Sequence, residues 1–182
     1  MARSREQLQK AEQDFLNLIS SHVYNIQGDS LYIGCSKDQQ AGIGLLGAHC
    51  DTVTVLEAFK QYADESRALP GVTNVIEAEL SLAIKSGLLG SYDTIIWRSG
   101  PEHLDKQEGA AAITHLMTCL RQDGILIVEC PNRMMIQPPF DGNIWNEHKS
   151  GWTLKDFESV GLTATTGAEN NKRLVGVYQR AK

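Results

Sequence analysis

The sequence predicts an open α/β domain: a mostly parallel sheet ending in an antiparallel hairpin, with helices on both faces. Three observations predict it. Short apolar runs at 31–33, 52–56, 72–76, 93–97 and 125–128 are each separated by enough chain for a crossover helix. Strands that alternate with helices in this way form parallel sheets with right-handed crossovers. The intervening segments near 39–47, 58–67, 79–88 and 106–121 read as those helices. Two final strands, near 162–166 and 173–179, flank Gly167-Ala168-Glu169-Asn170-Asn171-Lys172, which reads as a hairpin turn.

At 182 residues the chain is long enough for one domain with a sizeable core and too short for two ordinary ones. Its composition, 42% hydrophobic and 21% charged, is that of a soluble protein. No apolar run approaches the roughly 18 residues of a membrane span, so no membrane partner is expected. Met1-Ala2-Arg3-Ser4-Arg5-Glu6 leads into a polar helical pattern instead of an apolar core, so no signal peptide is read and a cytoplasmic location is expected. A formal charge of −5 with scattered basic residues argues against a nucleic-acid partner bound through phosphates. Cys35, Cys50, Cys119 and Cys130 lack a C-x-x-C pair, so reduced, mostly buried thiols are expected in place of a zinc site or disulfides.

In chain order, residues 4–22 read as an amphipathic helix with Ser4 as N-cap and Leu8, Ala11, Phe15, Leu18 and Ile19 on one side. Leu31-Tyr32-Ile33-Gly34-Cys35-Ser36-Lys37-Asp38 then reads as a strand entering a glycine turn and a helix that Asp38 can cap. Open α/β sheets hold nucleotide-like cofactors at such turns, because a residue without a side chain lets the backbone approach the ligand. Glu57 ends the second apolar run, 23 positions beyond Gly34. A carboxylate there can accept hydrogen bonds from both hydroxyls of a ribose. After Cys130, Pro131-Asn132, Pro138-Pro139 and Asp141-Gly142-Asn143 mark a loop of about 20 residues, a length that is usually functional. A short helix at 153–160 follows, with Thr153 as N-cap and Gly161 as its stop.

Four stretches together resemble the class I S-adenosylmethionine-dependent methyltransferases of small molecules. Leu31-Tyr32-Ile33-Gly34-Cys35-Ser36 is similar to that family's first-strand glycine motif, although Ser36 and Asp38 stand where further glycines are usual and Tyr32 where an acid often sits. Glu57 matches its ribose acid. Val75-Ile76-Glu77-Ala78-Glu79-Leu80 is similar to the stretch with an acid near the adenine amino group, with Glu79 first and Glu77 second as the candidate. Finally, Tyr92 to Leu104, containing Arg98-Ser99-Gly100-Pro101-Glu102-His103-Leu104, resembles the fourth strand and the glutamate-histidine-leucine signature after it. The segment Gly142-Asn143-Ile144-Trp145-Asn146-Glu147-His148-Lys149-Ser150-Gly151-Trp152-Thr153 is similar to a pattern in a subset of these enzymes, in which a histidine and a serine precede a tryptophan and a short helix.

The resemblance implies a Rossmann-like three-layer sandwich with a seven-stranded sheet, S-adenosylmethionine as cofactor and a small-molecule acceptor. The resemblance runs from about residue 30 to the end, and the single domain reads as an N-terminal helix and linker (1–29), a cofactor-binding core (30–130), a substrate-side loop (131–152) and a C-terminal helix and hairpin (153–182). Gly34, Cys35, Ser36, Glu57, Ala58, Glu79, Leu80, Arg98 and Ser99 are the expected cofactor residues. His148 and His103 are candidate bases, with pinning of the loop as the alternative role for each; Trp145 and Trp152 either join a substrate wall or, for Trp152 in preference, pack under the loop. No metal-ligand set stands out. The sulfonium is already a strong methyl donor, so such a protein mainly positions the reactants and excludes water. Two other readings stand beside it: a methyltransferase-like domain without activity that binds a metabolite or a protein, and a dinucleotide oxidoreductase. Against the second, Gly34-Cys35-Ser36-Lys37-Asp38-Gln39 lacks a full G-x-G-x-x-G, and Asp38 would repel phosphate.

Overall fold

The structure, a computed structural model, describes residues 13, 15, 17, 26, 28–36, 39–166 and 172–182. Its sheet contains β1 (Asp29–Ile33), β2 (Thr52–Glu57), β3 (Asn74–Glu77), β4 (Tyr92–Arg98), β5 (Leu120–Pro131), β6 (Thr163–Thr166) and β7 (Arg173–Gln179). They lie in the order β3-β2-β1-β4-β5-β7-β6. The first five are parallel, while β7 runs antiparallel to both β5 and β6. The expected mostly parallel seven-stranded sheet with its terminal antiparallel pair is therefore present. From β1 the chain steps outward to β2 and β3, then returns to place β4 on the other side of β1. That reversal opens a crevice at the carboxyl ends of β1 and β4, where open α/β sheets bind ligands.

The helices are α1 (Gln40–His49), α2 (Lys60–Arg67), α3 (Leu80–Lys85), α4 (Lys106–Thr118) and α5 (Leu154–Ser159). Side chains alternate across the sheet. Tyr32 joins Phe15 with Ile43 and Leu46 of α1 on one face, whereas Leu31 and Ile33 join Leu80 and Ala83 of α3, Ile113 and Leu116 of α4, and Phe157 of α5 on the other. Burial on both faces explains why the central strands read as continuous apolar runs instead of alternating ones. Among the described residues no helix is long and apolar enough to cross a membrane. All four cysteines are free.

The boundaries that shifted have local causes. The helix expected over 106–121 stops at Thr118, because Leu120 already pairs with Tyr92 as β5 begins. β5 then bends at Asp123, whose φ is 63°, before Ile125 resumes the ladder beside Thr94. The helix expected over 79–88 ends at Lys85, where Leu88 N–H donates to Ala83 O (2.9 Å) and Gly87 N–H to Ile84 O (3.1 Å). This pair of bonds is a Schellman stop, with Gly87 supplying the positive φ of 63°. The helix expected from 58 starts at Lys60, since Phe59 is extended and its N–H is held by the Glu57 carboxylate.

The C-terminal helix has the expected Thr153 cap. Thr153 Oγ1 accepts from Asp156 N, and Asp156 Oδ2 accepts from Thr153 N (2.7 Å), a reciprocal capping box. Gln13, Phe15 and Asn17 are helical, and Phe15 is buried. The rest of the 4–22 helix with Ser4, the possible cap at Asp38 and the hairpin turn at 167–171 lie outside the described residues.

Candidate active site

The glycine turn and Glu57 form one unit. Gly34 has φ 81°, a left-handed conformation that favours glycine, and its N–H donates to Leu56 O (2.8 Å). A Cβ at Gly34 would meet only Gln39 Oε1, at 3.7 Å, so the space above the turn is open. The Glu57 carboxylate, 7% exposed, accepts from Cys35 N (Oε2, 2.7 Å) and from Phe59 N (Oε1, 2.7 Å). It thereby clasps the β1–α1 turn to the β2–α2 turn. Burial raises its pKa, and the N–H groups of Phe59, Cys35 and Ala58 partly offset that rise. The Cys35 thiol faces the core and burial pushes it up to about 11, so at this position only the backbone is available to a ligand.

Next to this unit, β4, β5 and β7 are joined by a buried chain of charges. Glu129 accepts from Arg98 Nε (2.7 Å) and from Arg173 Nε (2.9 Å), and Arg173 Nη2 donates to Ser99 Oγ (2.6 Å). Burial favours a higher Glu129 pKa, but the Arg173 and Arg98 guanidiniums outweigh it and hold the carboxyl below its ordinary value. Ser99 is a non-glycine residue at φ 48°, held there by its own N–H to Glu129 O (2.7 Å) as well as by Arg173. Gln39 Nε2 donates to Arg98 O (3.2 Å), while Gln39 Oε1 is buried without a partner.

The turn after β4 carries a 3-10 helix, Pro101–His103, onto which the 131–152 loop folds. Lys149 N and Ser150 N both donate to Glu102 O (2.8 and 3.1 Å), His103 Nδ1 donates to Glu147 O (3.0 Å), and His148 Nδ1 donates to Met135 O (2.9 Å). Carbonyl oxygens only accept, so each neutral imidazole carries its proton on Nδ1 and its lone pair on Nε2. The two rings meet edge to face, 5.0 Å between centroids. Burial lowers the pKa of His103, with the Glu147 and Ser99 carbonyls opposing, and burial also lowers that of His148, with Glu102 opposing. Beneath them the Glu102 side chain is 3% exposed, with Oε2 unpartnered, and burial pushes its carboxyl up to about 7.

These elements enclose a cavity of about 670 Å³ at the carboxyl ends of the strands. Every residue expected at the site lines it: Gly34, Cys35, Ser36, Glu57, Ala58, Glu79, Leu80, Arg98 and Ser99, together with His103 and His148. The Arg98 guanidinium is engaged by Glu129, so it builds the wall more than it reaches into the space. Glu79 sits half-buried at the start of α3 with no capping bond. The second acid, Glu77, is exposed, pairs with Arg67 (3.1 Å) and is not part of the lining. Trp145 lines the cavity, whereas Trp152 is 1% exposed, packs on Phe157 beneath the loop, and is not in the wall.

Sequence reasoning missed Gln39, Arg173 and the burial of Glu102. Arg173 lies 74 positions from its partner Ser99, and no spacing rule joins them. Glu102 was legible as part of the glutamate-histidine-leucine signature, but without a role at the site.

No protein-family model and no curated protein matches the sequence. Solved structures do match. DhpI in complex with SAH superposes with a TM-score of 0.71 at 14% identity, over 96% of this chain and 87% of that one. Magnesium protoporphyrin IX methyltransferase (ChlM) from Synechocystis PCC 6803 with bound SAH gives 0.64 at 15%, over 100% and 90%. The N-methyltransferase NodS from Bradyrhizobium japonicum WM9 gives 0.63 at 13%, over 95% and 97%. The fold is thus the Rossmann-like fold of S-adenosylmethionine-dependent methyltransferases.

Proposed function

We propose that this protein transfers a methyl group from S-adenosylmethionine to a nucleophilic oxygen, nitrogen or carbon of a small molecule, as a cytoplasmic enzyme. The observation that carries this reading is the single cavity with the glycine turn, Glu57 and Glu79 along one part of its lining and His103 and His148 along another. Its volume lies in the range of small-molecule sites. Four free cysteines accord with a reducing compartment.

The residues present suit this cofactor. The open turn at Gly34 gives room for backbone contact with the methionyl part, and the unpartnered Gln39 Oε1 nearby is an acceptor for its ammonium group. The Glu57 carboxylate takes the N–H groups of Cys35, Phe59 and Ala58 and keeps lone-pair capacity for a ribose hydroxyl. Glu79, half-buried in the lining, would accept from an adenine amino group. When bound, the cofactor supplies an electrophilic methyl on sulfur. The chain's own task is to hold the acceptor in line and to keep water out, with the 131–152 loop as cover and Met135, Phe140 and Trp145 as apolar wall. Where the acceptor must lose a proton, the Nε2 lone pairs of His148 and His103 are the available bases.

Calorimetric titration with S-adenosylhomocysteine tests the reading, with micromolar to sub-millimolar affinity and a single site as the expected result. Absence of binding at millimolar ligand would reject it and leave a methyltransferase-like fold that serves as a metabolite-binding or interaction module.

A further inference from the structure

We propose that Glu102, His103 and His148 bind a divalent transition-metal ion on the acceptor side of this cavity. One donor atom from each of the three lies within 4.8 Å of the other two. Three ligands around an ion at about 2.0–2.2 Å stand closer together than that, so the set closes with side-chain shifts of about an ångström. A single general base would need one imidazole. Here two imidazoles and a carboxylate converge.

Three independent features suit a cation. First, both rings are held as ligands usually are: Nδ1–H donates to a backbone carbonyl, Glu147 O for His103 and Met135 O for His148, which leaves Nε2 of His148 for the ion, while the Ser99 carbonyl also lies against the His103 ring. Second, Glu102 Oε2 is a buried acceptor with no partner in a side chain 3% exposed. Such an oxygen is costly to leave unsatisfied, and a cation removes the cost. Third, Glu129 takes both nearby guanidiniums as its hydrogen-bonded partners, so Arg173 reaches Glu102 through its charge and leaves Oε2 without a hydrogen bond. Two neutral nitrogens and one carboxylate favour zinc, iron or a neighbouring first-row ion over magnesium or calcium, which prefer all-oxygen sets.

The ligands come from two places that the fold must bring together. Glu102 and His103 lie on the 3-10 helix after β4, and His148 lies on the loop that is bonded back onto it through Lys149 N and Ser150 N. An ion would therefore tie the loop to the body. Three protein ligands leave coordination positions for an oxygen or nitrogen of the acceptor, and this part of the proposal rests on the methyl-transfer reading. With both imidazoles committed to the ion, neither serves as the base: coordination would lower the acceptor's pKa, its proton would pass to water, the freed electron pair would form the bond to the methyl carbon, and the carbon–sulfur bond would break to leave a neutral thioether.

The test is titration of the chelator-treated full chain with zinc chloride by calorimetry, and with cobalt(II) followed by visible absorption. The expected result is one equivalent of zinc and a cobalt spectrum of low coordination number. Both should be lost in His148→Ala, and zinc affinity should fall by more than about 100-fold in Glu102→Gln, beyond the effect of an outer-sphere partner. Failure of the wild type to bind, or binding unchanged in His148→Ala and Glu102→Gln, would overturn the proposal, the latter assigning the ion to an adventitious surface site. If either variant fails to melt cooperatively, His148→Asn replaces it, and the wild-type cobalt spectrum still decides. S-adenosylhomocysteine titrated into the same samples keeps the two readings apart. Zinc binding without it rejects methyl transfer alone, and the reverse rejects the metal site alone.

Discussion

Replacing Glu57 with alanine separates the two tasks of this carboxylate. In the folded chain each oxygen takes one backbone N–H at 2.7 Å, from Cys35 and from Phe59. Hydrogen bonds to a charged group contribute about 1.5–3 kcal/mol, so loss of the ribose contact should weaken S-adenosylhomocysteine binding about 10- to 150-fold. The same change strands the buried Cys35 N–H at roughly 1–3 kcal/mol and the part-buried Phe59 N–H at less, offset in part because a buried carboxylate no longer needs desolvating. Glu57→Gln keeps the volume and one acceptor but turns an NH₂ toward a backbone N–H, so it should lower both stability and affinity less than alanine does. Calorimetric titration paired with thermal melts of each variant reads both effects. Unchanged affinity in a folded Glu57→Ala protein would remove this residue from the ribose site and refute the assignment.

His148→Ala should reduce turnover by a larger factor than cofactor affinity, as steady-state kinetics beside calorimetry would show; equal losses would assign it to loop folding alone. Trp152→Ala should cost about 3–5 kcal/mol in urea unfolding, the usual range for a fully buried tryptophan, and a cost under about 1.5 kcal/mol would contradict the packing described. Glu129 is held below its ordinary carboxyl value of 4.5, so its contribution is complete above that pH and is lost as pH falls through the lower folded value. Glu129→Gln should therefore melt lower than the wild type at neutral pH yet lose less between about pH 5 and pH 3, a convergence readable from melting temperatures.

The strands and the helices between them were legible because burial on both faces writes long apolar runs into the sequence. Glu57 was legible for a related reason: it ends such a run at the strand tip. The end of α4 was not, because Leu120 continues an apolar pattern while its backbone has already joined Tyr92 in the sheet. Trp152 and Trp145 look alike in sequence, and only the fold of the loop sends one under the surface and the other into the cavity wall. The convergence of Glu102, His103 and His148 was hidden by the 45-position separation of the two histidines, since ligand sets are recognised from sequence only when their spacing is short and regular.

β7 is the last strand in chain order, yet it occupies an interior slot between β5 and β6. Its first residue, Arg173, both lines the cavity and completes the ion chain through Glu129 to Arg98. During synthesis, β1 to β5 can pair one after another as they leave the ribosome. The cavity, however, lacks its Arg173 wall and the ion chain its second guanidinium until β7 has inserted between β5 and β6.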